Sequence, residues 1–285
     1  MLRRNCIVVS AILLGMTIYI GQFNNSFAKD KIEPEQLVAE HLKALGSPEA
    51  LQQIKTRLMI GVATMKYILG GSGQLAGKAN WASEKGKMGL VIQFGARDYP
   101  GEHFAYDGKD VMVNYIQTGG QRSPLGNFLL NYDGVMKNGL FGGVLYVGWP
   151  LLDIKESKPK MKVKTKTVDD KELYEVEYMP RKSMEDVKVK LYFDPETYRH
   201  VMTEYRLRKV SMGQSVSRGS ESTTNYLLTE KFEDFKPVDG ITLPHKYSLT
   251  YELQGRSSLT VLYTFDAEKI GHNGTIDPRF YEAQK

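Results

Sequence analysis

Five histidines, His41, His103, His200, His245 and His272, and one cysteine, Cys6, are the residues most suited to metal or nucleophile chemistry. Such chemistry needs partners at set spacings: paired ligands for a metal, or a base beside a nucleophile. The spacings are missing. There is no HExxH or other compact metal pattern, and no GxSxG elbow presents a serine. Carboxylate pairs are harder to dismiss, because folding brings distant acids together. Glu102 with Asp107, and Glu204 with Glu230, are the pairs that can be named, and each also reads as turn or surface acids. His41 lies in a helical pattern without a partner and reads as a surface or packing residue. In FEDFKPVDGITLPHKYSL (Phe232–Leu249), Asp239 stands six residues before His245, but no nucleophile motif accompanies them. That stretch reads as a structural corner, turning at Asp239-Gly240 and stiffened by Pro237 and Pro244. Gly70-Gly71-Ser72-Gly73 has neither a Walker lysine nor a dinucleotide fingerprint and reads as a loop. The expectation is a protein without enzymatic activity, catalytic residues, cofactor or metal.

The N-terminus points to export. Arg3 and Arg4 precede an apolar run from Ile7 to Ile20, and Ser26-Phe27-Ala28 suits a signal peptidase. Residues 1–28 are expected to be a cleaved signal peptide; the rival is an uncleaved anchor, for which the run is short. Cys6 precedes the apolar run, the wrong side for a lipidated cysteine. Removing 28 of 285 residues leaves 257, without cysteine and long enough for a sizeable core. An exported chain without disulfides fits a bacterial periplasm. The net charge of +5 falls to +3 without Arg3 and Arg4, too mild for dedicated nucleic-acid binding. Lys155, Lys158, Lys160, Lys162, Lys164 and Lys166 form a basic run. From 160 to 166 they alternate with Met161, Val163 and Thr165, as on the wet face of a strand. Attraction to anionic headgroups is the other reading.

Beyond Pro34 the elements follow from periodicity. PEQLVAEHLKALG carries an apolar helical stripe with proline in its first turn and Gly46 to stop it. Ser47 caps a second short helix that begins at Pro48. After Lys55 the period changes to two. RLMIGVATMKYIL, GQLAGKANWAS, KMGLVIQFG and the hairpin EHFAYDGKDVMVNYI read as antiparallel strands, because their connections are too short for parallel crossovers. MKVKTKTV, ELYEVEYMP, DVKVKLYFD, HVMTEYRLRKV, a strand opening at Tyr226, and a hairpin from Lys246 through Leu259 to Phe265 continue the pattern. About nine to eleven strands are expected.

Between the two runs of strands lies an apolar insert, about 123–153, with weak helical stretches near Pro124–Tyr132 and Asp133–Asn138. A segment this apolar is a core lid or a mobile gate over a hydrophobic site. One face of so much antiparallel sheet must be buried, either inside a closed barrel or beneath helices that cross an open, curved sheet. An incomplete fill leaves an apolar pocket. The side chains expected to line it are Trp81, Leu90, Phe94, Phe104, Phe128, Leu140, Phe141, Trp149, Tyr205, Tyr247 and Tyr251.

Three segments carry a family resemblance: AEHLKALGSPEALQQIKT (Ala39–Thr56), LYFDPETYRHV (Leu191–Val201) and FEDFKPVDGITLPHKYSL. They resemble the outer-membrane lipoprotein-sorting superfamily of periplasmic lipoprotein carriers and their receptors. The resemblance implies a mainly β fold with α: an incomplete, half antiparallel β-barrel with helices across its concave face, as a single domain over 29–285. It also implies periplasmic binding of a lipid acyl chain or lipoprotein in a hydrophobic cavity, as in lipoprotein sorting to the outer membrane. The alternative is a protein-interaction or envelope-stress sensing domain that meets a membrane-associated envelope protein.

Overall fold

The structure is a computed structural model that describes residues 32–117, 120–184, 186–212 and 221–282. The expected signal peptide lies outside the described residues. Among them no helix is long and apolar enough to cross a membrane.

Two helices lead, α1 (Pro34–Leu45) and α2 (Pro48–Gln53), each opened by its proline. Leu37, Val38, His41 and Leu45 form the buried stripe of α1. Ser47 Oγ accepts from Ala50 N at 3.2 Å and caps α2. Five strands follow: β1 (Thr56–Leu69), β2 (Gln74–Glu84), β3 (Lys87–Phe94), β4 (Gly101–Tyr106) and β5 (Val111–Tyr115). Seven more come after the insert: β6 (Lys160–Val168), β7 (Lys171–Met179), β8 (Lys188–Phe193), β9 (His200–Met212), β10 (Glu221–Val238), β11 (Ile241–Gln254) and β12 (Ser258–His272).

All twelve strands join one antiparallel sheet in the order β5-β4-β3-β2-β1-β12-β11-β10-β9-β8-β7-β6. Sequence neighbours pair throughout, and the first strand pairs with the last at the centre. The cut falls between β5 and β6, the two strands that the insert connects, so the sheet is not closed into a barrel. The count is one above the expected nine to eleven, and the hairpin read in EHFAYDGKDVMVNYI is β4–β5.

The expected corner at Pro237–Pro244 is instead the tip of a long hairpin. β10 runs unbroken to Val238, and Pro237 and Pro244 lie in the two strands, opposite Thr242 and Phe235. Asp239 and Gly240 take left-handed φ of 49° and 83°, as a two-residue hairpin turn requires. The Asp194 turn behaves as read: its Oδ1 accepts from Glu196 N, Thr197 N and Thr197 Oγ1.

The insert holds α3 (Pro124–Asn131), α4 (Gly134–Lys137) and α5 (Ile154–Ser157), with 3-10 turns at Gly143–Leu145 and Pro150–Asp153. Helices were expected across the buried face; most of what lies there is turn and irregular chain between α4 and α5. Regular helix is disfavoured over Gly139–Pro150, which carries four glycines, three of them at left-handed φ. Its side chains belong to the one large core cluster with the inward residues of the strands.

The contacts require the sheet to bend around the insert. Gly142 abuts Trp81 of β2, and its neighbour Gly143 abuts His200 of β9 and Phe232 of β10. β2 and β9 are five positions apart in the sheet order, or roughly 24 Å if it were flat. Adjacent Cα atoms are only about 3.8 Å apart. Side chains alone do not span the difference.

Candidate functional site

A row of rings crosses the inward face. His41 of α1 meets Trp149 of the insert edge-on at 5.3 Å, and Trp149 stacks on His200 at 4.9 Å. His200 contacts Phe232 at 4.7 Å, Phe232 stacks on Tyr247 at 5.4 Å, and Tyr247 meets Trp81 at 6.1 Å. Phe141 of the insert closes the row by stacking on Trp81 at 6.1 Å. Alternation aims Trp81, Phe232 and Tyr247 inward, and a bulge at the Tyr192/Phe193 register turns His200 to the same side; the row ends at His41 of α1 and at Phe141 of the insert.

The insert lies on this row because two glycines let its backbone approach. At Gly142, with φ 81°, a Cβ would sit 2.1 Å from the Trp81 ring. At Gly143, with φ 50°, it would sit 2.8 Å from Phe232 and 3.0 Å from His200. No other residue type fits this backbone so close to those rings.

Three buried polar side chains of the sheet hold the insert by its main chain. Glu230 Oε1 accepts from Gly142 N at 2.6 Å. Arg57 Nη1 donates to the Val144 carbonyl, and Arg57 Nε to His272 Nε2 at 3.0 Å. Ser83 Oγ donates to the Leu145 carbonyl at 3.4 Å and accepts from Val147 N at 3.3 Å. Glu230 also accepts from Tyr247 OH, and from Tyr205 OH at 2.7 Å. Glu230 lies opposite Thr203 and Leu249 in the register; Tyr205 stands two residues after Thr203 and Tyr247 two before Leu249, on the same face.

Burial governs the charges here. It raises the Glu230 carboxyl to about 7, against the hydrogen bonds from Tyr205, Tyr247 and Gly142 that favour the anion. It lowers His41 to about 4, with the bond to the Tyr198 carbonyl opposing, and Arg57 to about 9. It takes His200 well below the usual imidazole range, and nearby His41 adds to the effect. At neutral pH His41 and His200 are therefore uncharged packing groups.

Four polar atoms beside the insert have no hydrogen-bond partner although they are buried: Trp81 Nε1, Trp149 Nε1, His200 Nδ1 and His41 Nε2. Buried polar groups are normally paired, so this concentration is unusual. Trp149, 1% exposed, also lies against an open cleft of about 730 Å³ between the insert, the β2–β3 turn and the end of β7. Tyr106, Tyr146, Leu152 and Tyr178 share that cleft, whose rim carries Lys85, Lys137, Arg181 and Lys182.

All the side chains expected to line a cavity, Trp81, Leu90, Phe94, Phe104, Phe128, Leu140, Phe141, Trp149, Tyr205, Tyr247 and Tyr251, are buried in the same cluster. Trp81, Phe141, Trp149 and Tyr247 belong to the ring row, and Tyr205 joins through Glu230. Phe128 packs on Tyr251 at 6.0 Å in a second group with Tyr132 and Tyr226. Phe94 packs on Tyr99, away from the row. In this conformation the insert itself fills the space between them.

Neither named carboxylate pair assembles. Glu204 and Glu230 occupy adjacent registers on opposite faces. Glu102 is bound by Ser123 and Tyr99, and Asp107 by the backbone of its own turn. Asp239 accepts from His272 at 2.8 Å rather than meeting His245. Among the described residues no cluster suits a metal ion. Sequence reasoning missed Arg57, Ser83 and Phe232, named His200 only as a histidine without a motif, and took Glu230 as half of a pair with Glu204 or a surface acid. The available signal was a charge at an apolar register: Arg57 shares alternation with Met59, Ala63 and Met65, and Glu230 with Leu228 and Phe232.

No family model matches the chain, and no curated protein matches it. Among solved structures it is similar to a LolA superfamily protein from Nitrosomonas europaea, at 12% identity and a TM-score of 0.45, over 88% of this chain and 98% of that one. It is also similar to a DUF1329 family protein from Desulfovibrio piger, at 11% identity and a TM-score of 0.41, over 87% and 96%. MucB in complex with MucA(peri) follows at 9% identity and a TM-score of 0.20, over 84% and 99%. Likeness of this degree carries no function across.

Proposed function

We propose that this protein is a periplasmic, non-enzymatic binder of an apolar chain, a lipid acyl group or the acyl anchor of a lipoprotein. The chain takes the place of insert residues 140–147 on the ring row. One observation carries the reading: the buried face of the sheet is filled by a segment with little regular structure, tied down through three polar side chains. A hydrocarbon entering the same space buries the same faces of Trp81, Phe232 and Tyr247, and each methylene withdrawn from water contributes about 0.8 kcal/mol. The exchange replaces one apolar filler by another, so its net cost is far below that of opening a strand. The cleft beside Trp149 is the way in, and its volume lies in the range of small-molecule sites. Lipoprotein sorting is the process that such a carrier serves.

A disulfide across the tether tests this. From residue 29 onward the chain has no cysteine of its own, so Ser83→Cys with Val147→Cys gives a single staple. Native mass spectrometry after incubation with bacterial lipid extract should find bound lipid on the reduced protein and none on the oxidised protein. Reduced protein that never retains lipid defeats the proposal.

A further inference from the structure

Trp81 and Trp149 are the two tryptophans of the chain, and each is the second ring from one end of the row, one on the sheet and one on the insert. An indole has one polar group, an N–H that donates and cannot accept. Buried indoles usually find an acceptor for it. Here neither does, although Trp81 is 0% and Trp149 1% exposed. His200 Nδ1, beside Trp149, is also unpartnered. A sealed donor without an acceptor is a cost that the docked insert carries. A plain hydrocarbon in its place would carry it too. A ligand with carbonyl oxygens would remove it.

We infer that the indole N–H groups of Trp81 and Trp149 are hydrogen-bond donors to the carbonyl oxygens of an ester- or amide-linked acyl ligand. They thereby select acyl compounds over ethers of equal length. The inference rests on the displacement of the insert proposed above and assigns the polar contacts of that same site. Withdrawal of Gly142, whose backbone lies against the Trp81 ring, opens the Trp81 end. Trp149 borders the cleft, and withdrawal of residues 140–147 uncovers its N–H on that side while the ring stays stacked on His200. Ester and ether analogues of one chain length bury nearly equal apolar area, so the hydrophobic contribution cancels between them. The difference left is one carbonyl acceptor, worth about tenfold in affinity per hydrogen bond made.

The test compares 1-monooleoylglycerol with its ether analogue, 1-O-oleylglycerol, by tryptophan fluorescence titration and native mass spectrometry. The proteins are wild type, Trp81→Phe and Trp149→Phe. Wild type should prefer the ester about tenfold or more, and at least one phenylalanine variant should lose about tenfold of that preference while still binding the ether. Equal binding of ester and ether by wild type overturns the inference and leaves the displacement reading standing. A preference that survives in both variants overturns the role of the indoles. Binding of neither ligand sinks the displacement reading and this inference with it. Should a variant fail to fold, the wild-type ratio still decides.

Discussion

Glu175 and Glu230 are both fully buried carboxylates in one sheet, and their surroundings are opposite. Glu175 points to the outer face. Lys190, Lys164 and Lys166 lie within 2.8, 3.1 and 3.2 Å, and Tyr192 OH donates to it at 3.0 Å. Tyr192 also reaches Glu204, whose carboxylate is gripped by Arg206 at 2.9 and 3.0 Å. Burial pushes Glu175 up, but the bonds from these lysines and Tyr192 outweigh it and hold the carboxyl at about 2. Glu230 points inward, where neutral donors alone reach it and burial prevails. The acids of the outer region are thus paired with cations. The inner region is loaded with polar groups whose best partners are the insert's main chain, or are missing. Folding alone does not call for that contrast, and the exchange of filler proposed above would use it.

The largest effect that bears on this contrast is expected at the insert. Phe141→Ala removes a fully buried ring from the row and should cost about 3–5 kcal/mol, read as a lower urea midpoint, and should increase binding of an apolar dye. A stability loss under about 1 kcal/mol would mean that the insert does not hold the core, and the comparison would break.

Next comes Glu230. Its folded carboxyl, at about 7, lies above the 4.5 of an exposed one, so its contribution is full below 4.5 and is lost as pH rises through about 7. The loss amounts to about 3 kcal/mol. Glu230→Gln should remove that decline, so the stability difference between variant and wild type should change across pH 4.5–8. A constant difference would place Glu230 outside the titration. The histidines work in the other sense. His41, at about 4, and His200, well below the usual imidazole range, lie under 6.5, so their contribution is present above 6.5 and is lost as pH falls through their folded values. His41→Gln should flatten the acid limb in urea titrations between pH 4 and 6.5.

The smallest effect belongs to the outer face. Glu175→Gln leaves Lys164, Lys166 and Lys190 without their shared anion, and these lysines are partly exposed to solvent. The expected cost is about 1 kcal/mol at low salt, shrinking in 1 M salt. A larger, salt-independent loss would show that the outer cluster is as critical as the inner row.

Local readings transferred well from sequence to structure. The two prolines and Ser47 mark the leading helices, and Asp107-Gly108 and Asp194-Pro195 mark turns where they stand. The period-two segments are strands in the structure, since a period of two is a property of the chain itself, but a bulge in β9 packs Val201 with Met202 on the outer side. The lysines of β6 take the wet face, with Lys164 and Lys166 on Glu175. The Pro237–Pro244 stretch misled, because prolines near Asp239-Gly240 imitate a corner while the strands on either side continue.

The sequence by itself determined an antiparallel meander, an apolar insert and the aromatic content of the buried face, because these depend on neighbours a few residues apart. It showed Trp81, Phe141, Trp149 and Tyr247 of the ring row, but not Phe232 or the polar half of the site. Only the tertiary structure decided that β1 pairs with β12, that Glu230 and Arg57 turn inward to hold the insert, and that two indoles are sealed without acceptors. Those outcomes depend on groups up to more than a hundred residues apart, and on how closely Gly142 and Gly143 let two backbones approach. Packing fixes such distances, and no local pattern encodes them.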